Sequence, residues 1–526
     1  MKKIIFIVLC IMIIFLGISV EKEKVNTIND KSSLNFITYN MNVNPNNLKI
    51  TSSDNRREKD LLVTLFEGLV KENEQGEIIP ALAKEFKVSD DGLEYTFKLR
   101  DGICYSTGEK ITVEDFKVFF KAFISDKENI YAKELDCIFG AKSFREGNGD
   151  FSNVAISGTE DNVLSIRLNY RCPYFINMLT NPVYVLRDYN QLNSYKEVYK
   201  SIRFTGPFAI KAAAKEELYL EKNDKYYGKS SITSDNIKIT FVEGVENSLA
   251  IFENFNEKNL GNIDIMMDAP INELSRLSEN LLVQSFIGSS GYYLNFNNAD
   301  NALGSDLNFR KAINSVLSKE YYSQLISKEL LTPATTYVQN VGDLQKVFSA
   351  YGDTELALRY LKESSLKEDS IITIIYENIN LNKRVVEDLS YDMKNDMKVN
   401  VVAKGYTKEE LDDVIEKKEY DILLQKFTFE FRDPGEYYEG FRKSSDLNKT
   451  GYYNEEYENL LQEARYEVNE EKRNSIYNKC NEILISGLNS IPLYNINNPI
   501  CIKSDIKGIY VTRDGNIRLD KVKRVP

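Results

Sequence analysis

The period of apolar and polar positions changes several times along the chain, and each change marks an element. Leu61-Leu62-Val63-Thr64-Leu65-Phe66-Glu67-Gly68-Leu69-Val70 is an apolar run broken by Gly68. Turn residues follow at Glu74-Gln75-Gly76-Glu77. Pro80, near the start of residues 79–86, suits the first turn of a short amphipathic helix, and the spacing predicts one there. Behind the turn Asp90-Asp91-Gly92, Leu93, Tyr95, Phe97 and Leu99 alternate with polar residues and predict a half-buried hairpin strand. Thr112 or Glu114 then opens a helix with Asp115 in its first turn and Phe116, Phe119, Phe120 and Phe123 on one face.

Further strands are predicted at residues 36–39, 237–241, 291–298, 371–376, 399–403 and 420–427, with a strand pair and turn over 205–210 and 218–227. Asn454 is a good N-cap for a helix lined by Tyr457, Leu460, Leu461, Ala464 and Val468, and a second helix carries Ile476, Cys480, Ile483 and Leu484. Strands alternating with helices predict an α/β fold. A chain of 526 residues is too long for one core, so two or three lobes are expected.

At the N-terminus, Met1-Lys2-Lys3 and an apolar run over residues 4–20 form a signal peptide or anchor, which predicts export to the outer face of the cytoplasmic membrane or beyond. As a helix the run would reach about 25 Å, short of a hydrocarbon core of about 30 Å, so cleavage and anchoring both stay open. Residues 21–35 are polar and read as a flexible stalk.

Net charge is −12, from 67 Lys plus Arg against 79 Asp plus Glu, with no basic stripe; nucleic acid is therefore not expected as a partner. Histidine is absent, which removes His-based triads and imidazole metal sites, and no cofactor or metal is expected. Cys10 lies within the apolar run, and Cys104, Cys137, Cys172, Cys480 and Cys501 are scattered without CxxC spacing. Isolated buried thiols are expected, with one disulfide between distant positions left open.

The blocks LFEGLV, IIPALAKEF, DDGLEYTFKLRDG and GEKITVEDF, in this order, resemble the signature of the extracellular family 5 solute-binding proteins, the oligopeptide- and dipeptide-binding components of ABC importers. Tyr105 stands where that family usually has tryptophan, and Ser318 where an acidic residue is usual. The resemblance implies a class II periplasmic-binding-protein-like α/β fold, with two large lobes joined by crossing strands and a small lobe inserted in the first. Residues 36–69, 196–290 and 498–526 would form the first lobe, 70–195 the small lobe and 291–497 the second. It implies a monomer that captures peptides by lobe closure and delivers them to an ABC permease with its ATPase subunits.

The segment Phe427-Thr428-Phe429-Glu430-Phe431-Arg432-Asp433-Pro434 resembles the family's ligand segment, and the resemblance gives Glu430 the role of pairing with the peptide α-ammonium. Glutamate stands there one methylene longer than the family's aspartate. Phe427, Thr428, Phe429, Asp433, Tyr437 and Tyr438 are expected to line the ligand site, with Glu58 and Tyr131 opposite. The same reading leaves open that these aromatics are core.

Alternatives from the same fold are a tethered receptor for a signalling peptide or a binder of another small solute such as a nickel chelate or saccharide. An enzyme is the rival class. Ser364-Ser365-Leu366-Lys367, Ser234-Asp235-Asn236 and Lys449-Thr450-Gly451 match the SxxK, SDN and KTG motifs of penicillin-recognising serine enzymes, but SDN precedes SxxK, the reverse of that family's order. No catalytic residue is therefore assigned.

Overall fold

Two long antiparallel strands, Val283–Phe296 and Ser490–Ile502, run through the middle of one eleven-stranded mixed sheet. At about 3.3 Å per residue each is more than 40 Å long, enough to belong to two cores at once. Toward one edge Ile500–Ile502 pairs with Ile265–Met267, and the sheet continues through Ile37–Met41, Asn236–Phe241, Glu217–Lys222 and Phe208–Ala213. Toward the other, residues 290–296 pair with Ile422–Thr428, followed by Ile371–Glu377 and Asn400–Tyr406. The computed structural model describes residues 36–52, 57–159, 162–254, 262–300, 302–338, 347–429, 434–445, 447–467, 469–512 and 514–525.

Each half of the sheet buries its own core. Ile37, Leu62, Phe208, Ile239, Ile265 and Ile502 belong to that of the first lobe, and Tyr293, Phe309, Ile374, Tyr437, Leu461 and Leu484 to that of the second. A separate core holds Phe97, Phe116, Phe120, Phe123, Leu164 and Phe175 of the small lobe, around the four-stranded sheet of Ala83–Val88, Glu94–Leu99, Val163–Arg167 and Ile156–Gly158. Two large lobes sharing one sheet, with a small lobe of separate core, are the arrangement the family resemblance implies.

Most boundaries follow the pattern. The helix Val113–Ser125 is closed at its start by a reciprocal capping box between Thr112 and Asp115. Asn454 caps Glu455–Tyr466 by accepting from the Tyr457 amide at 2.9 Å. Residues 79–86 differ: they form no helix but end the strand Ile78–Pro80 and open Ala83–Val88. Pairing of Ala83–Val88 with Glu94–Leu99 gives its backbone groups partners, and that long-range ladder overrides a locally helical sequence. The first crossing strand also begins eight residues before position 291, inside the first lobe.

The lobes meet where the two crossing strands slip register between Phe286 and Ser290. A Cβ placed on Gly288 would lie 2.2 Å from the Ile496 carbonyl oxygen, so only glycine lets the backbones approach this closely. Among the described residues no helix is long and apolar enough to cross a membrane, and no group of three or more Cys, Asp or Glu side chains is placed to hold a metal; residues 4–20 lie outside those described.

Candidate functional site

The carboxyl ends of strands from both lobes open onto one cleft, the position at which open α/β sheets bind ligands. Asp268, Ala269 and Pro270 follow Ile265–Met267; Ile379 and Asn380 follow Ile371–Glu377; Thr428 and Phe429 close Ile422–Thr428. Ser290, Tyr292, Asn497 and Asn498 of the crossing strands form the floor, and the cavity measures about 1080 Å³.

The first-lobe wall is organised by Asp60, buried in the helix Glu58–Leu65. Its Oδ1 accepts from the Ile517 amide at 3.0 Å, and its Oδ2 accepts from the Tyr39 hydroxyl at 2.6 Å and from Arg57 Nη1 at 3.3 Å. Burial pushes the Asp60 carboxyl up to about 6, against the opposing pull of Arg57. Arg57 also donates to the Gly515 carbonyl at 2.6 Å, and its Nε stands 3.8 Å from Asp268 Oδ2. Asn42 donates to the same Asp268 oxygen at 3.5 Å. Asp268 keeps about half its side chain exposed (49%) and holds a left-handed backbone at φ 57°. A non-glycine residue there persists only where its surroundings fix it.

The second-lobe wall is the start of the helix Asn380–Asn395 together with Lys426, Thr428 and Phe429. Lys383, Arg384 and Glu387 face the cleft from that helix. Arg384 Nη1 reaches Asn272 Oδ1 of the opposite wall at 3.3 Å. At the floor the Ser290 and Thr428 hydroxyls are 3.0 Å apart, and the Phe429 amide donates to the Ser289 carbonyl at 2.8 Å. Among the described residues the cleft carries Arg57, Lys59, Lys383, Arg384 and Lys426 against Glu246, Asp268, Glu387 and Asp514, so it is close to neutral in a chain of net charge −12. A near-balanced, two-walled cleft suits a ligand with charge of both signs better than a simple anion or cation.

The description "Bacterial extracellular solute-binding proteins, family 5 Middle" matches residues 77–449. The chain belongs to this family. The dipeptide-binding protein DppE of Bacillus subtilis is 25% identical over 468 residues, covering 85% of this chain and 84% of that protein. The oligopeptide-binding protein OppA of Bacillus subtilis is 25% identical over 480 residues, 86% of each. Among solved structures, the periplasmic murein tripeptide-binding protein MppA in its unliganded open form aligns with a TM-score of 0.80 at 20% identity, over 91% of this chain and 94% of that one. An oligopeptide-binding protein from Borrelia burgdorferi aligns at 0.69 and 20% identity, over 94% of this chain and all of that one. The fold and the family are thereby established as those of an extracellular solute-binding protein.

Within that family fold, the residues singled out from sequence fall into three groups. Thr428 and Phe429 line the cleft. Phe427 does not: strand alternation turns Lys426 and Thr428 outward and Phe427 into the second core, 4.9 Å from the Tyr293 ring centroid. Tyr437 and Tyr438, on the helix Pro434–Glu439, are likewise core, Tyr437 against Phe427, Phe429 and Tyr337 and Tyr438 against Tyr477. Around the start of the helix Glu58–Leu65 the cleft-lining positions are Arg57 and Lys59, whereas Glu58 acts electrostatically on Tyr195 inside the first lobe; successive helical residues point about 100° apart. Tyr131 is buried in the small lobe with Lys59 Nζ 4.7 Å over its ring. Glu430 and Asp433 lie outside the described residues.

The penicillin-type motifs each have partners of their own. The Ser364 hydroxyl donates to the Leu361 carbonyl at 2.6 Å, Ser234 to the Val522 carbonyl at 2.6 Å, and Lys449 pairs with Asp412 at 3.3 Å. Asp268, Arg57, Lys383 and Arg384 were not singled out by sequence; the available signal was an acidic residue between a strand and Pro270 in Ile265-Met266-Met267-Asp268-Ala269-Pro270.

Proposed function

We propose that the protein is the substrate-binding component of an ABC importer and captures peptides in this cleft. Ligand held between the walls makes its full set of contacts only when they approach, so it biases an open–closed equilibrium by its differential affinity. A thousandfold preference for the closed form corresponds to about 4 kcal/mol, and the closed form is what the permease and its ATPase subunits would receive. The lobes divide at residues 36–69, 196–290 and 498–526, at 70–195 and at 291–497; three separate cores support a partition of this kind, although Val185, Leu192 and Tyr195 pack in the first-lobe core. The N-terminal segment directs export, by cleavage or as an anchor, to the outer face of the cytoplasmic membrane or beyond it, and the protein works as a monomer.

The observation that carries the reading is the convergence of strand ends from both lobes on one cleft with charges of both signs. A volume near 1080 Å³ is at the top of the range for small-molecule sites, as a short peptide requires. The end of Ile422–Thr428 offers backbone to an extended ligand, which satisfies peptide groups without reading side chains. Glu430, two residues after that strand in sequence, would take the α-ammonium.

The test is mass spectrometry of whatever co-purifies with the exported protein, followed by calorimetry with two- to five-residue peptides. Peptides should be found, and Glu430→Gln should weaken their binding. A saccharide or metal chelate as the bound species would overturn the peptide assignment while leaving the family fold intact.

A further inference from the structure

Two of the five downstream cysteines, Cys137 and Cys172, are not isolated. The strip of chain around Cys172 runs antiparallel to the strip around Cys137: Phe139 donates to the Arg167 carbonyl at 2.9 Å, Ile138 and Leu168 form a β-bridge, and the Asn169 amide donates to the Cys137 carbonyl at 2.7 Å. Beyond this ladder the chain turns back toward Cys137, and the two cysteines, both free thiols here, are neighbours close enough for Cys172 to be the foremost influence on the Cys137 thiol. Both are buried in the small-lobe core. Tyr95 fixes the turn by donating to the Cys172 carbonyl at 3.0 Å.

The segment between the ladder and Cys172 also carries a contact between lobes. Arg171 donates through Nε to the Asp91 carbonyl at 2.8 Å and through Nη1 to the Tyr466 carbonyl at 2.6 Å, so it ties the small lobe to the end of the helix Glu455–Tyr466 in the second. The chain belongs to an extracellular family, and extracellular proteins keep disulfides that cytosolic ones lose.

We propose that Cys137 and Cys172 form a disulfide in the exported protein, a staple that fixes the Arg171 contact to the second lobe. The two thiols give up two protons and two electrons, and the acceptor is an external disulfide of low molecular weight or of an oxidoreductase. One thiolate displaces a thiol from that disulfide, and the second cysteine then displaces the other, leaving the protein S–S bond and two reduced thiols. The exchange takes place during folding, because in the folded lobe both sulfurs are buried. The neighbouring Cys172, ahead of burial, also pushes the Cys137 thiol up, away from the reactive thiolate. Once closed, the bond is shielded from reductant by the same burial.

The full chain, denatured, reduced and refolded in glutathione redox buffer, is alkylated and digested without reductant. The expected product joins the Cys137 and Cys172 peptides, lighter by two hydrogens than the reduced pair, while Cys104, Cys480 and Cys501 are alkylated. Protein recovered directly from export should show the same link. Reduction during refolding should lower the unfolding midpoint of the wild type by roughly 5 °C or more, and should leave a Cys137→Ala/Cys172→Ala protein unchanged. Full alkylation of both cysteines in both preparations, or a link from either to a different cysteine, overturns the proposal. The peptide reading is untouched by either outcome.

Discussion

The Ile496 carbonyl oxygen occupies the space beside Gly288 where any side chain would begin, 2.2 Å from the position of a Cβ. This contact lies in the register slip of the two crossing strands, where the lobes join. Gly288→Ala must therefore push two backbones apart at the hinge. The expected result is a loss of about 1–3 kcal/mol in chemical denaturation together with a changed ligand affinity, since the spacing of the two walls is set here. An unchanged denaturation midpoint would show that the strands separate freely.

Glu67 is a buried carboxylate at the junction of the first and small lobes. It accepts from Lys71 Nζ at 2.9 Å and from the Tyr226 hydroxyl at 2.5 Å. Burial raises its pKa, but Lys71 and Arg518 outweigh burial and hold it below the ordinary glutamate value. Removing one partner of such a pair strands the other charge, so Glu67→Ala should cost about 3–5 kcal/mol in urea unfolding. The depressed pKa fixes the sign of the pH effect: the contribution is present above about pH 4.5 and fades as pH falls through the folded value.

Lys319 is almost fully buried and donates to the Ala334 and Pro492 carbonyls at 3.2 and 2.6 Å. Burial pushes its pKa down to about 7 from 10.5. Between those values the unfolded chain holds a proton that the folded chain does not, so this group makes stability rise with pH above about 7 and adds no slope below it. From pH 7 to pH 9, below the tyrosine range, the gain is roughly 2–3 kcal/mol. Urea midpoints of wild type and Lys319→Met across this interval should diverge, with the variant lacking the rise. Parallel curves would mean that the ammonium stays charged.

Tyr437 illustrates what the sequence carried and what it did not. Its hydroxyl is buried with no hydrogen-bond partner among the described residues, and its ring fills the second core. Tyr437→Phe should leave stability unchanged or raise it by about 1 kcal/mol in thermal unfolding. Local periodicity revealed the strands and helices around it, because a two-residue or 3.6-residue repeat is written in neighbouring positions. Whether an aromatic faces core or cleft depends on what packs behind it, and Phe427, Tyr437 and Tyr438 carry no local mark of that choice. The same limit explains residues 79–86, whose strand pairing is a long-range event. Asp268 was hidden for another reason: its role comes from a strand end meeting Arg57 and Asn42, residues more than 200 positions away in sequence.

If the ligand is a peptide, Asp268 of the cleft wall is a described carboxylate that would meet its ammonium. Arg57 and Asn42 hold one of its oxygens at 3.8 and 3.5 Å, yet about half of the side chain remains open toward the cleft. Its left-handed backbone is a conformation that asparagine also tolerates, so Asp268→Asn removes the charge without forcing the loop to move. For a short peptide with a free amino terminus, calorimetry should show affinity falling by roughly ten- to hundredfold, equivalent to about 1.4–2.8 kcal/mol. An N-acetylated version of the same peptide should bind wild type and variant alike, because it brings no ammonium. Equal loss for both peptides would assign Asp268 to wall architecture, and no loss for either would leave the ammonium to Glu430 alone.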